Sequence, residues 1–364
     1  MKIDNITLNN FRNYSKQELE LGKKVNFFIG NNGSGKTNLL EAIYVVALTK
    51  SYKTADINLI KYGEDYARVI ASVNNKNRKF QLKLIVSEQG KKAMVNSSEI
   101  KKLSDYIGAF NVLSFFPEDL MIIKGSPRER RYFIDIIYGQ IDKNYLSELS
   151  NYKLILKQRN ELLKKISESN EPDMTLLDVL TEQIATSAKQ IVSMRELFVN
   201  QINSSLKSMY RFLTDRNVDF IFRYNPSVYE DIENALKSKY KSDIILKTTN
   251  IGPHRDDYDF LIDNLQAKDN ASQGEQRLMG LALILAIGDI IYKIKNERPV
   301  LLLDDVFSEL DHNRQNRLIK YLNELDSQTV ITTTTLNNID KSILKGSKIF
   351  RVQNNTVREE HIYE

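Results

Sequence analysis

The sequence predicts an α/β nucleotide-binding fold that carries an antiparallel β subdomain and an inserted helical arm. Three observations predict it. A glycine-rich loop, Gly30-Asn31-Asn32-Gly33-Ser34-Gly35-Lys36-Thr37, stands between a short apolar strand and a helix. A second aliphatic stretch, Val300-Leu301-Leu302-Leu303, ends in Asp304-Asp305. Between the two, residues 128–213 change to helical periodicity.

In chain order, residues 1–11 read as a strand on Ile3, Ile6 and Leu8, and residues 25–29 as a buried strand. Residues 38–46 repeat their apolar positions at helical spacing. Residues 66–73 and 79–87 alternate as strands around a turn at 74–77, and 92–96 add a third. These form an antiparallel sheet beside the nucleotide loop. Residues 111–116 are a further strand, stopped by Pro117.

In the helical block, Leu149, Tyr152, Leu156, Leu163 and Ile166 share one face. So do Leu177, Ile184, Ile191, Leu197 or Phe198, and Ile202. A turn-like break at 167–173 makes this a short arm of two antiparallel helices, a small coiled coil. Strands return at 218–224 and 257–263. Buried strands at 299–303 and 329–333 flank a helix at 313–325, and strands at 349–352 and 357–362 close the chain. The expected division is a discontinuous head, 1–116 and 252–364, and an arm lobe, 117–251.

Composition narrows the chemistry. The chain has 364 residues, 41% hydrophobic and 27% charged, as ordinary globular proteins have. With no cysteine, disulfides, thiolate nucleophiles and Cys-ligated zinc are excluded. His254, His312 and His361 lack metal-ligand spacing. Residues 1–5 hold no apolar signal segment, and the apolar run at 278–292 contains Asp289 and reads as a buried helix. A cytoplasmic protein without membrane contact is expected. A net charge of +5 permits nucleic-acid binding without requiring it.

The loop fits G-x-x-x-x-G-K-[ST]. Its glycines let backbone N–H groups close around phosphate oxygens at a helix start. Lys36 is expected on the β- and γ-phosphates of ATP, and the Thr37 hydroxyl on Mg²⁺. Asp304 is the expected Mg²⁺-side acid, and Asp305 the group that orients and deprotonates water. Ser272-Gln273-Gly274-Glu275-Gln276-Arg277 reads as a capping box opening the helix at 278–292. The same Ser hydroxyl and Gly amide make an anion site suited to a γ-phosphate.

Taken in order, the loop, the S-x-G-x-Q helix start, the aliphatic-Asp-Asp strand and Ser308-Glu309-Leu310-Asp311 resemble ABC-type ATPases. That resemblance implies a head-to-tail dimer in which the signature helix of one subunit completes the ATP site of the other. More specifically, the chain resembles the RecF family of the SMC-like branch. The likeness rests on Asn10-Phe11-Arg12-Asn13-Tyr14, on residues 30–43 with Asn38 and Glu41, and on Ser51-Tyr52-Lys53-Thr54. It continues through Phe116-Pro117-Glu118-Asp119-Leu120, residues 125–135, Gly252-Pro253-His254-Arg255-Asp256-Asp257, residues 272–277, and residues 301–311.

The resemblance implies an ATP-dependent dimer acting on DNA gaps and single-strand/double-strand junctions. With RecO and RecR it promotes RecA loading, and slow, DNA-stimulated hydrolysis releases it. Nucleotide contacts are then implied at residues 30–38, Arg12, Ser272, Gly274 and Gln276.

Departures from the wider pattern are specific. Asp305 stands where Glu is usual, Glu118 or Asp119 where a Q-loop glutamine is usual, and Thr332 to Thr335 where a switch histidine is usual. Lys53 stands where the family often has Arg. Residues 252–257 are expected to form a turn beside the ATP site. Arg128, Arg130, Arg131, Lys153, Lys157, Arg159, Lys164 and Lys165 offer a basic surface for DNA phosphates. Two rival readings are a transporter's ATPase subunit and a nucleotide-gated scaffold that does not hydrolyse ATP.

Overall fold

The structure is a computed structural model and describes residues 1–117, 121–169, 173–308, 310–337 and 339–360. The Q-loop candidates Glu118 and Asp119, together with Glu309 and His361, lie outside the described residues. The chain divides into two compact units: residues 1–120, 208–217 and 272–364, and residues 121–207 and 218–271. Gly252 to Ala271, expected in the head, therefore belongs to the second unit. It does so because the strand Asp257–Ile262 pairs along its length with Phe220–Asn225.

Two six-stranded sheets build the first unit. In the mixed sheet, Val25–Ile29, Thr329–Thr333, Val300–Leu303 and Val112–Phe115 are parallel neighbours in that order. Both faces of such strands are covered, so their sequences are almost continuously apolar. All five residues of Val25–Ile29 are buried, as are all four of Val300–Leu303. Lys348–Gln353 adds a parallel neighbour outside Val25–Ile29, and Phe28 stacks on Phe350 at 4.8 Å. Thr356–Glu360 closes this edge as a hairpin through Asn354 and Asn355, both with positive φ.

The second sheet is antiparallel and runs from Tyr14–Glu20 through Lys2–Phe11, Tyr66–Asn74, Lys79–Ser87 and Gly90–Val95 to Ser98–Glu99. Its alternation is clean. Ala67, Val69, Ala71 and Val73 are buried on one face, and so are Phe80, Leu82, Leu84 and Val86. The helix Lys36–Leu48 lies against these two strands. Tyr14–Glu20 was not expected, because only Tyr14 and Leu19 of its seven residues are buried.

In the second unit, helices Pro127–Ile141 and Lys143–Glu168 are separate, where one continuous helical run was expected. Asp142 divides them, accepting bonds from the Asn144 and Tyr145 amides as an N-cap. The long helix Met174–Thr214 follows, of which residues 174–207 belong to this unit, and its apolar stripe is carried by Phe198 (buried), with Leu197 exposed. Among the described residues no helix is long and apolar enough to cross a membrane.

Gly252 to Asp257 forms a hub inside the second unit. The Tyr152 hydroxyl lies 2.6 Å from His254 Nδ1, and His254 Nε2 lies 2.9 Å from the Thr249 carbonyl oxygen. Arg195, 1% exposed, donates to Asp256 at 3.1 Å, Asp135 at 2.8 Å and the Pro253 carbonyl at 2.8 Å. Tyr224 also donates to Asp256. A buried guanidinium is tolerated because its donors meet acceptors in a fixed fork. These residues thus have a packing role within the second unit.

Candidate nucleotide site

The loop grows out of the all-buried Val25–Ile29 strand and ends where the helix Lys36–Leu48 begins. Gly33 and Gly35 take φ of +78° and +104°, a region that favours glycine. Gly30 is required by space: a Cβ there would sit 2.3 Å from the Val352 carbonyl oxygen. The Gly30 amide donates to Thr333 O at 3.2 Å, which fixes the loop to the neighbouring strand. Tyr14 donates its hydroxyl to Gly35 O at 3.1 Å, and Asn38 donates to Asn13 at 2.8 Å.

Lys36 is 8% exposed, and its ammonium donates to Gly30 O at 2.6 Å and Asn31 O at 2.9 Å. Burial lowers its pKa, and Asp304 and Asp305 partly oppose that. Asn31, Asn32 and Gly33 are exposed at the lip.

Asp304 is brought to the loop by the parallel sheet, one strand removed from Val25–Ile29. Thr37 Oγ1 lies 2.9 and 3.2 Å from its two carboxylate oxygens. On the intervening strand Thr332 donates its hydroxyl to Asp304 and accepts the Asp305 amide at 3.0 Å. Sequence reasoning read Thr332 only as a missing histidine. A hydroxyl inside a fully buried strand, beside an acid strand, was the signal available. Asp305 itself has φ of +49° at the strand end.

Arg12 is placed next to the loop helix but is engaged there. Its Nε and Nη2 donate to Glu41 at 2.8 Å each, and Nη1 to Asn58 O at 3.0 Å. Glu41 is 1% exposed and also accepts from Ser51 Oγ at 2.6 Å. This bidentate pair ties together three of the sequence stretches that carry the family likeness.

Ser272, Gly274 and Gln276 open the helix Gln273–Lys295. Ser272 accepts the Glu275 amide at 3.3 Å, and Glu275 accepts the Ser272 amide at 2.9 Å, so the expected capping box is present. Arg216 also donates to Glu275. Ser272 is exposed, Gln276 is buried, and open space lies where a side chain on Gly274 would be. The structure brings together residues 30–38, Asp304 and Thr332. Ser272, Gly274 and Gln276 lie together at the start of the helix Gln273–Lys295.

Of the expected basic surface, part is corrected. Arg159 is fully buried on Asp243 at 2.9 Å. Arg130 is buried on Asp257 at 2.8 Å, and Arg131 donates to Asp256 O at 2.5 Å. Arg128, Lys153, Lys157, Lys164 and Lys165 remain exposed.

Loop, acid strand, antiparallel subdomain and capped signature helix together define an ABC-type ATPase head of the SMC kind. An Smc head domain from Pyrococcus furiosus shares the fold, with TM-score 0.57 at 19% identity over 99% of this chain and 96% of that one. Residues 2–358 match the RecF/RecN/SMC N-terminal domain family, and within it the chain belongs to the RecF family. It is 40% identical to the DNA replication and repair protein RecF of Lactobacillus johnsonii, over 98% of this chain and 99% of that protein. Identity to the RecF of Staphylococcus carnosus is 38%, over 97% and 98%. A solved structure of the recombination mediator protein RecF with ATP, in the RecFOR pathway, superposes with TM-score 0.90 at 30% identity, covering 99% of this chain and 97% of that one.

Proposed function

We propose that this chain is an ATP-driven, DNA-binding switch of recombinational repair. The observation that carries the nucleotide half is the cluster of Thr37, Asp304 and Thr332 at the mouth of the glycine loop. The residues fit a triphosphate. Ser34 Oγ is buried with no hydrogen-bond partner among the described residues, and Lys36 has only loop carbonyls to satisfy it. Amides of residues 30–38 would hold the phosphates, and Lys36 would supply positive charge. Thr37 and Asp304 offer the hard oxygen donors that Mg²⁺ prefers. Mg²⁺ bound there would neutralise charge on the β- and γ-phosphate oxygens. Asp305 orients water and accepts its proton, and its short side chain makes that step slow.

Ser272, Gly274 and Gln276 serve the γ-phosphate of a second copy, giving an ATP-dependent homodimer. Arg12 remains a nucleotide-site residue through its bond to Glu41 on the loop helix. The DNA half is supported by relatives called DNA replication and repair protein RecF and by a RecF of the RecFOR pathway. On this reading the dimer binds gapped DNA and single-strand/double-strand junctions. With RecO and RecR it promotes RecA loading in the cytoplasm, and DNA-stimulated hydrolysis releases it.

Fluorescence anisotropy on a gapped duplex tests the reading. Tight binding should need ATP and Mg²⁺ and be lost in Lys36→Ala; equal binding without nucleotide would contradict it. The short Asp305 also supports a scaffold that holds ATP without turning it over. Single-turnover hydrolysis by wild type and Asp305→Asn separates the two, since equal rates favour the scaffold.

A further inference from the structure

Thr332 is fully buried on the strand Thr329–Thr333, which lies between Val25–Ile29 and Val300–Leu303. Its hydroxyl is used in both directions. It donates to the Asp304 carboxylate and accepts the Asp305 amide at 3.0 Å. The two roles are fixed by chemistry, since an ionised carboxylate only accepts and an amide N–H only donates. One oxygen therefore joins the acid on the Mg²⁺ side to the acid on the water side.

Asp305 needs such a hold. Its φ of +49° lies in the left-handed region, which a residue with a Cβ rarely adopts. Among the described residues its hydrogen bonds run through the backbone alone. The amide goes to Thr332, and the carbonyl accepts the Ser308 amide at 3.4 Å and the Ser308 hydroxyl at 3.0 Å. Where the carboxylate points thus follows from where the backbone is held. Ser308 is exposed, so water competes for its bonds; Thr332 is out of reach of water. Thr332 is the firmer of the two anchors.

We propose that Thr332 is the positioning residue that aims Asp305 at the attacking water, acting through the Asp305 amide. The proposal rests on the reading of Asp305 as the group that accepts the water's proton, and adds what holds that group in place. Valine at this position keeps the β-branched shape but supplies neither bond.

The test compares Thr332→Val, Thr332→Ala and Thr332→Ser with wild type, each alone and combined with Asp305→Asn. Single-turnover hydrolysis, ATP affinity by calorimetry and ATP-dependent mass are measured across a Mg²⁺ series. Removing the hydroxyl, by Val or by Ala, should slow hydrolysis by about tenfold or more. ATP affinity and the Mg²⁺ requirement should stay within about twofold of wild type, and the gain of mass with ATP should persist. Thr332→Ser should keep the wild-type rate. In the Asp305→Asn background the loss of the hydroxyl should add less than about twofold, because the two residues act as a unit. A full loss in that background, a raised Mg²⁺ requirement or a matching fall in ATP affinity overturns the proposal. So does slow hydrolysis by Thr332→Ser. Fast hydrolysis by Thr332→Val beside slow Asp305→Asn removes the positioning role and leaves the reading of Asp305 standing. Equal rates in wild type and Asp305→Asn remove both.

Discussion

Thr37 Oγ1 stands 2.9 Å from Asp304 Oδ2, although 267 positions separate the two residues in the chain. The contact joins the start of the loop helix to the end of a strand two places away in the parallel sheet. A divalent cation held by both oxygens would replace this direct bond. Thr37→Ala and Asp304→Asn should therefore each lower Mg²⁺-dependent ATP hydrolysis by about 100-fold. Turnover measured across a Mg²⁺ series checks this; wild-type rates in Asp304→Asn would remove it from the metal site.

Lys36 gives a pH signature. Its lysine pKa is lowered by burial, so the ammonium loses its proton at a pH below the usual lysine range. Triphosphate affinity should fall as pH rises through that lowered value, and Lys36→Arg should shift the fall upward. Calorimetric titrations of ATP from neutral to alkaline pH test it.

His254 gives an acid signature. Burial pushes its pKa down to about 4, from the ordinary 6.5 that the unfolded chain has. The unfolded state therefore binds more protons between these values. Stability is fully present above pH ~6.5 and is lost as pH falls toward 4, by up to ~3 kcal/mol. Denaturant midpoints across this range should show the loss in wild type and a weaker slope in His254→Asn.

Arg195 holds Asp135 and Asp256 in the second unit. Arg195→Met would leave two carboxylates without their cation, one of them fully buried, at a cost of about 3–5 kcal/mol. Urea unfolding should show the loss, and Arg195→Lys should not restore the full fork of bonds.

Lys157 and Lys164 are exposed on the helix Lys143–Glu168, Lys157 only loosely paired with Glu161 at 3.9 Å. Charge reversal at both should weaken duplex binding and flatten its salt dependence. Unchanged affinity across salt would remove this helix from the DNA site.

The nucleotide loop and its acid strand were legible because motif chemistry and buried-strand composition coincide at Val25–Ile29 and Val300–Leu303. Pairing with the sheet then adds only Thr332, a hydroxyl whose meaning depends on its neighbour. The arm was less legible. Arg159 was read as a surface cation and Arg195 was not singled out, yet each lies on its helix's apolar stripe. Arg159 is spaced with Tyr152, Ile155, Leu163 and Ile166, and Arg195 with Ile184, Ile191, Phe198 and Ile202. Periodicity marks such positions as buried, but it does not name the acid from a distant segment that makes burial tolerable. The packing of residues 252–257 was hidden for the same reason: their partners come from three helices and a strand far off in the chain. Asp142, which caps the helix Lys143–Glu168, went unread inside a run that looked continuous.

On the proposed reading, ATP joins two copies through the loop of one and the signature helix of the other. Light scattering of wild type and Lys36→Ala, with and without ATP and Mg²⁺, tests it most directly. Only wild type with ATP should double its mass. A mass that never changes with ATP would contradict it and leave the loop a monomeric site.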